Sequence, residues 1–221
     1  MANLPEGAVK TKQYEHEYFE PLAENDNCLN AAYLLTAVIS SLYTSSMKEK
    51  ENVFNLLTVS KFVEEAHQGQ VDRGGHPYFG HLTRVSAKVA YLLSKLPDGM
   101  LSDEDKEQAI LLGISHDLLE DTSRTKDDLR ALGASELFIK RLEALSRLDK
   151  TSTYMDWIRG IAAAGDVVTI LVKLGDNEDN NDPARIAQLP EDQRSITQRY
   201  DRAYKILKAA LDEKITEFKN V

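Results

Sequence analysis

Cysteine is nearly absent. Cys28 is the single one in 221 residues, so no internal disulfide can form and a cysteine-rich zinc site is excluded. Long apolar runs are missing too: Ala31 to Tyr43 is the most apolar early stretch and is far too short to span a bilayer. Positive charge is in deficit, with 27 basic against 36 acidic residues and a net charge of −9, which argues against nonspecific nucleic-acid or anionic-membrane binding as the main role. The first residues carry Glu6, Glu15, Glu17 and Glu20 where a secretory signal would be basic and then apolar, so a reducing, cytoplasmic setting is expected. No internal repeat, low-complexity linker or strong alternating strand pattern is present.

What remains is helical periodicity. Residues 1 to 26 mix Pro, Gly and Glu with little period and predict an irregular arm, and 27–46 predicts a helix striped by Leu29, Ala32, Leu35, Ile39 and Leu42. That helix is expected either to pack on the core or to form a homo-oligomer interface. Further helices are predicted over 52–69, 81–96, 103–120, 125–132, 135–149, 153–165, 167–180 and 191–217. Ser102, Thr125 and Thr153 each precede an acidic residue by three places, a helix-start signal. Val167 to Leu174 is β-branched enough for a buried strand, but its surroundings favour a helix. The expectation is an all-α chain: residues 1–50 as an arm and additional helix, and 51–221 as one main domain.

The run Gly113-Ile-Ser-His-Asp-Leu-Leu-Glu-Asp-Thr122 carries the most chemical information. On one continuous helix, His116 would lie beneath Glu120 and Asp117 beneath Asp121, with Leu118 and Leu119 turned to apolar neighbours. Three carboxylates in one turn repel each other, and a bound cation with water to activate relieves this. A divalent ion held by imidazole and carboxylate needs three or four ligands from separate elements, with positions left open. Four residues offer them: His116 and Asp117, His81 after the loop Gly74-Gly-His-Pro-Tyr-Phe-Gly80, and Asp176 in Lys173-Leu-Gly-Asp-Asn177. Singly, His81 reads as a cap or a core histidine and Asp176 as a helix-end residue. It is the combination with Glu120 and Asp121 that no fold requires for stability.

Three stretches together carry a resemblance: Ala66-His-Gln-Gly-Gln-Val-Asp-Arg-Gly-Gly-His-Pro-Tyr-Phe-Gly-His81, His116-Asp-Leu-Leu-Glu-Asp-Thr122 and Val172-Lys-Leu-Gly-Asp-Asn-Glu-Asp-Asn180. They run in the order of the HD-domain metal-dependent phosphohydrolases. Within these they resemble the RelA/SpoT-type alarmone hydrolases, whose small free-standing members include the metazoan SpoT homologue. The resemblance covers about residues 55 to 210. It implies an HD-domain helical bundle in which His81, His116, Asp117 and Asp176 ligate a metal, usually manganese. It also implies that Glu120 and Asp121 are the acid/base pair, that Asn180 contacts the nucleotide, and that the reaction releases pyrophosphate from the 3′ position of a guanosine tetra- or pentaphosphate. The segments flanking the domain are too short for a synthetase, so a hydrolase-only enzyme is expected.

Phosphate charge must be offset, and Arg73 is the first candidate, followed by Lys173, Arg147 and Lys150. Tyr78 either packs the loop or touches substrate. His67 and His76 fall on no ligand position, Gln68 and Gln70 read as loop supports, and Trp157, Tyr200 and Tyr204 read as core. The chain departs from the alarmone pattern at Asp72-Arg73, where the resembling enzymes have an Arg-Lys pair whose Arg stacks on the purine. Asp72 cannot stack and would repel phosphate. An adenosine alarmone, the 2′-phosphate of NADPH or a deoxynucleoside triphosphate therefore stays open as substrate. A noncatalytic nucleotide sensor is disfavoured, since it has no use for both Glu120 and Asp121.

Overall fold

The structure is a computed structural model and describes residues 54–148 and 150–220. The predicted N-terminal arm, the helix over 27–46 and any interface it would form lie outside the described residues. Among those described there are ten α-helices and no strand. They are α1 (Leu56–Ala66), α2 (Tyr78–Leu93), α3 (Asp103–Ser115), the single turn α4 (Leu118–Asp121), α5 (Lys126–Leu132), α6 (Glu136–Leu145), α7 (Tyr154–Ala164), α8 (Val167–Asn180), the short α9 (Pro183–Ala187) and α10 (Thr197–Lys219), with a 3₁₀ turn over Glu191–Ile196.

The predicted starts are built as read. The hydroxyls of Ser102, Thr125 and Thr153 accept from the backbone N–H groups of Asp105, Asp128 and Asp156. Each such cap contributes about 1 kcal/mol. The largest corrections concern ends. α2 begins at Tyr78, three residues before the expected start, because Pro77 supplies a helix-compatible φ of −51° just ahead of the first turn. His81 therefore sits inside the first turn. The last predicted helix divides into the 3₁₀ turn and α10, and α9 lies in a stretch that showed no period.

The ambiguous apolar run is helical. α8 is buried from Val168 to Asn177, so it lacks the one-sided stripe that marks a surface helix. It feeds two cores. Val168 and Val172 join Val85, Leu112, Phe138 and Leu142, whereas Ile170, Leu171 and Leu174 join Ile158, Ala203 and Leu207. Each fully buried aliphatic or aromatic side chain contributes about 1.5–3 kcal/mol.

Two glycines let α3 and α8 press against α2. A Cβ on Gly113 would lie 2.8 Å from Cα of Ser86, and one on Gly175 would lie 3.1 Å from Cγ2 of Val89 and 3.3 Å from the Val85 carbonyl oxygen. These contacts set the spacing of the three helices next to His116, Asp176 and His81. Gly113→Ala is expected to destabilise the fold by about 1–3 kcal/mol through overpacking. Gly160→Ala on α7, where nothing lies within 4 Å, should be neutral or stabilising by about 0.5–1 kcal/mol. Urea denaturation of the two variants measures the contrast.

Candidate metal centre and active site

The helix carrying the His-Asp pair is not continuous. α3 ends at Ser115, His116 caps it, and Asp117 adopts φ −97° and ψ 1° before the turn α4 begins. On an uninterrupted helix, neighbouring side chains diverge by about 100°. The break lets adjacent residues aim at one point. His116 Nε2 and Asp117 Oδ2 are 3.0 Å apart, and His81 Nε2 from α2 lies 3.7 Å from the same Asp117 oxygen. Asp176 Oδ1 reaches the two imidazole nitrogens at 3.5 Å and 3.6 Å.

The donor set fits a divalent cation. Ligands about 2.1 Å from a metal are separated by roughly 3.0 to 3.4 Å when adjacent in octahedral or tetrahedral geometry. Donor atoms of His81, His116 and Asp117 all lie within 4.8 Å of one another. His116 Nε2 is buried without a hydrogen-bond partner, a costly arrangement unless another group takes its lone pair. Mixed imidazole and carboxylate ligands suit zinc, iron or manganese better than magnesium.

Each donor is held from behind. His116 Nδ1 donates to the Gly113 carbonyl at 2.9 Å, which aims Nε2 at the centre, where its lone pair would serve a cation once its proton is displaced. His81 Nδ1 donates to Asp179 Oδ2 at 2.7 Å. Tyr78 OH donates to Asp117 Oδ2 at 2.6 Å and more weakly to Asp121 Oδ2 at 3.3 Å. Asp176 accepts from Lys173 Nζ at 2.6 Å and from Asn180 Nδ2. Electrostatics follow this packing. Burial would lower the His116 pKa, but the carboxylates of Asp117 and Asp176 push it up to about 10. Burial would likewise raise Asp117 and Asp176, yet His116 holds the first, and Lys173 and His116 the second, below the usual carboxylate range. Tyr78 is pushed well up by burial and then by Asp117, so it stays a donor.

Tyr78, His81, Asp117, Lys173, Asp176 and Asn180 line a cavity of about 370 Å³. Glu120 and Asp121 line it next to Asp117, and Glu120 Oε2 accepts from the Arg147 backbone N–H at 2.9 Å. Burial, then the Asp117 charge, raises the Asp121 pKa. The remaining wall is basic and aromatic: Arg73, Arg147, Arg185 and Arg199 with Tyr154, Trp157 and Tyr200. The Arg199 guanidinium lies 4.6 Å from the Tyr154 ring centroid and 5.4 Å from that of Tyr200. Thus, although the chain is acidic, its cavity can meet both a cation and a polyphosphate.

Of the predicted site residues, His81, Asp117, Asp176, Glu120, Asp121, Arg73, Lys173, Asn180 and Tyr78 all line this cavity, and His116 stands directly behind it. Lys173 is buried, paired with Asp176 and 4.3 Å from the Trp157 ring centroid, so its charge is taken up by Asp176 rather than by an open phosphate site. Lys150 is exposed and not among the lining residues. Trp157, read as core, does pack against the second core but also lines the cavity, and Tyr200, read likewise, lines it too. Gln70 links His67 Nδ1 to the Asp121 carbonyl, at 2.8 Å on each side, and His67 stacks on Tyr78. Asp72, expected to repel phosphate, lines the cavity but is mostly buried: its Oδ1 accepts from the backbone N–H groups of Gly74 at 2.9 Å and His76 at 3.0 Å. Arg185 and Arg199 carried no motif that would have identified them, and Asp179, inside the third resembling stretch, and Tyr154 carried no assigned role.

No family model matches the chain. The GTP pyrophosphokinase of Myxococcus xanthus is 31% identical over 126 residues, 52% of this chain and 15% of that protein. The guanosine-3′,5′-bis(diphosphate) 3′-pyrophosphohydrolase of Haemophilus influenzae is 28% identical over 127 residues, 52% of this chain and 16% of its own length. The chain thus spans about a sixth of these relatives. Among solved structures, a metazoan ortholog of SpoT, described as hydrolysing ppGpp with a role in starvation responses, matches at a TM-score of 0.54 and 16% identity, over 78% of this chain and 98% of that one. The expected all-α bundle is therefore present, and it shares its fold with that SpoT ortholog.

Proposed function

We propose that residues 51–221 form an HD-type hydrolase domain that removes pyrophosphate from the 3′ position of a guanosine tetra- or pentaphosphate. The observation that carries this is one cavity lined by His81, Asp117 and Asp176, with His116 against them, together with the Glu120 and Asp121 carboxylates and several arginines. Water forms the new bond to the 3′-linked phosphorus, the bond from that phosphorus to the 3′ oxygen breaks, and the products are pyrophosphate and GDP or GTP. Glu120, oriented by the Arg147 backbone N–H, takes the proton from water. Asp121, with its raised pKa, is suited to hand a proton to the departing 3′ oxygen. Arg73, Arg147 and Arg199 offset phosphate charge, and Tyr154, Trp157 and Tyr200 offer faces for the purine. Asn180, fixed against Asp176, borders the nucleotide's path.

A divalent cation, manganese by resemblance, would be held by His81, His116, Asp117 and Asp176 and would supply Lewis acidity and a lowered water pKa. No helix among the described residues is long and apolar enough to cross a membrane, and the proposed setting is the cytoplasm, with a small nucleotide as partner rather than nucleic acid or membrane. The test is a panel of ppGpp, ppApp, NADPH and deoxynucleoside triphosphates with added Mn²⁺ and chromatographic product analysis. Pyrophosphate and GDP from ppGpp are expected. Orthophosphate from NADPH, or triphosphate from a deoxynucleotide, with ppGpp untouched would replace the substrate. Tight binding without any turnover would make the protein a sensor.

A further inference from the structure

Asp72 occupies the position where the resembling alarmone hydrolases carry a purine-stacking Arg, yet it does not face the nucleotide as a bare charge. Its Oδ1 is tied to the Gly74 and His76 amides, so its Oδ2 has a fixed direction. That oxygen lies 3.5 Å from Arg185 Nη2 and 3.8 Å from Arg84 Nη2. The same two guanidiniums also hold Asp179: Arg84 Nε donates to Oδ1 at 2.9 Å, Arg84 Nη2 to Oδ2 at 3.2 Å, and Arg185 Nη1 to Oδ2. Two carboxylates with side chains only 4% and 1% exposed are thus neutralised by two arginines drawn from α2 and α9. Asp179 in turn accepts from His81 Nδ1.

We infer that Asp72 is a positioning residue: with Arg84 and Arg185 it anchors Asp179 behind His81 and thereby sets the orientation and tautomer of the imidazole offered to the cation. The inference rests on the metal reading of the site. An Arg at position 72 would place a third guanidinium against Arg84 and Arg185, so the Arg of the alarmone pattern is incompatible with this arrangement. In this chain Asp72 is complementary to Arg185, and a guanidinium able to contact a purine is offered by Arg199, which stacks on Tyr154. Behind a metal-bound histidine, such a carboxylate partner typically changes metal affinity 10–100-fold.

The experiment compares wild type with Asp72→Asn, Asp179→Asn, Asp72→Arg and the exchange Asp72→Arg/Arg185→Asp. Mn²⁺ affinity is measured by calorimetry, the His81 tautomer by ¹⁵N NMR of the metal-free protein, and kcat and KM separately on ppGpp. Asp179→Asn should weaken Mn²⁺ about 10–100-fold, with Asp72→Asn weaker in the same direction by at least about threefold. Both should shift the His81 tautomer populations away from those of wild type, and the exchange should recover affinity lost in Asp72→Arg. If Asp72→Arg fails to fold, Asp72→Asn decides by itself. Unchanged Mn²⁺ affinity and tautomer in Asp72→Asn, with KM alone raised, would make Asp72 a substrate contact and overturn the inference while leaving the metal reading intact. A wild type that binds no Mn²⁺ would overturn both.

Discussion

Asp117→Ala is expected to give a folded protein that no longer retains a divalent cation and hydrolyses nucleotide at least about 10³-fold more slowly. The size follows from what a bound cation supplies, several kcal/mol of transition-state charge stabilisation, at 1.36 kcal/mol per tenfold in rate. Asp117 is the acidic member of the close three-residue group with His81 and His116, and it also sustains the charge state of its neighbour. His116 is pushed up to about 10 chiefly, burial aside, by Asp117. At neutral pH the metal-free site therefore carries a proton that an incoming cation must displace. In wild type, Mn²⁺ affinity should rise as pH rises from 6 toward 9, and binding should release protons, read as a difference in apparent enthalpy between buffers of unlike ionisation enthalpy. Asp117→Ala should lose that difference together with the metal. Retention of stoichiometric metal by the variant, measured after dialysis, would remove Asp117 from the ligand set. Circular dichroism separates this from unfolding.

The ligand candidates were legible in the sequence because their chemistry restricts residue type: few side chains can hold a borderline divalent ion, and His81, His116, Asp117 and Asp176 stand out once considered together. Helical spacing contributed less than it promised. His116 and Glu120 do not share one continuous helix face. The turn at Asp117 brings two neighbours to the same centre, and a backbone break of one residue leaves no mark on a hydrophobic period. α8 was ambiguous for a related reason, since burial on all sides erases the contrast that periodicity reads.

The unread part of the site is non-local. Asp179 is one more acidic residue in the run from Asp176 to Asn180 until the fold brings it to His81, 98 positions away. Arg185 and Arg199 lie in segments without a motif, and Tyr200 and Trp157 follow spacings that packing alone explains. Gly113 and Gly175 are the subtlest case. A glycine inside a helix reads as a local cost. Here the missing Cβ at each allows the close approach of α3 and α8 to α2 that brings the candidate metal donors from three helices together. The departure at Asp72 changed meaning for the same reason. A residue judged against a ligand in sequence is, in three dimensions, turned toward Arg84 and Arg185.

Glu120→Gln is expected to separate the chemistry from the metal. Glu120 is not in the close group of His81, His116 and Asp117, and its Oε2 accepts from the Arg147 amide while the side chain lines the cavity beside Asp121. The amide keeps an oxygen to accept that bond, so the loop at Arg147 should stay in place and the stability change should be small. What it loses is the ability to accept a proton from water. Positioned general bases contribute typically about 10²–10⁴-fold, so kcat should fall within that range while KM for ppGpp and Mn²⁺ affinity stay near wild type. The same reasoning distinguishes Glu120 from Asp121. With its raised pKa, Asp121 matters most where a proton is given, so Asp121→Asn should impair release of a nucleoside leaving group more than release of a nitrophenolate, which needs no proton. Glu120→Gln should impair both equally, because water must be deprotonated in either case. A Glu120→Gln variant with full kcat would assign the base elsewhere in the cavity, and a variant that lost Mn²⁺ in parallel would make Glu120 part of the metal centre.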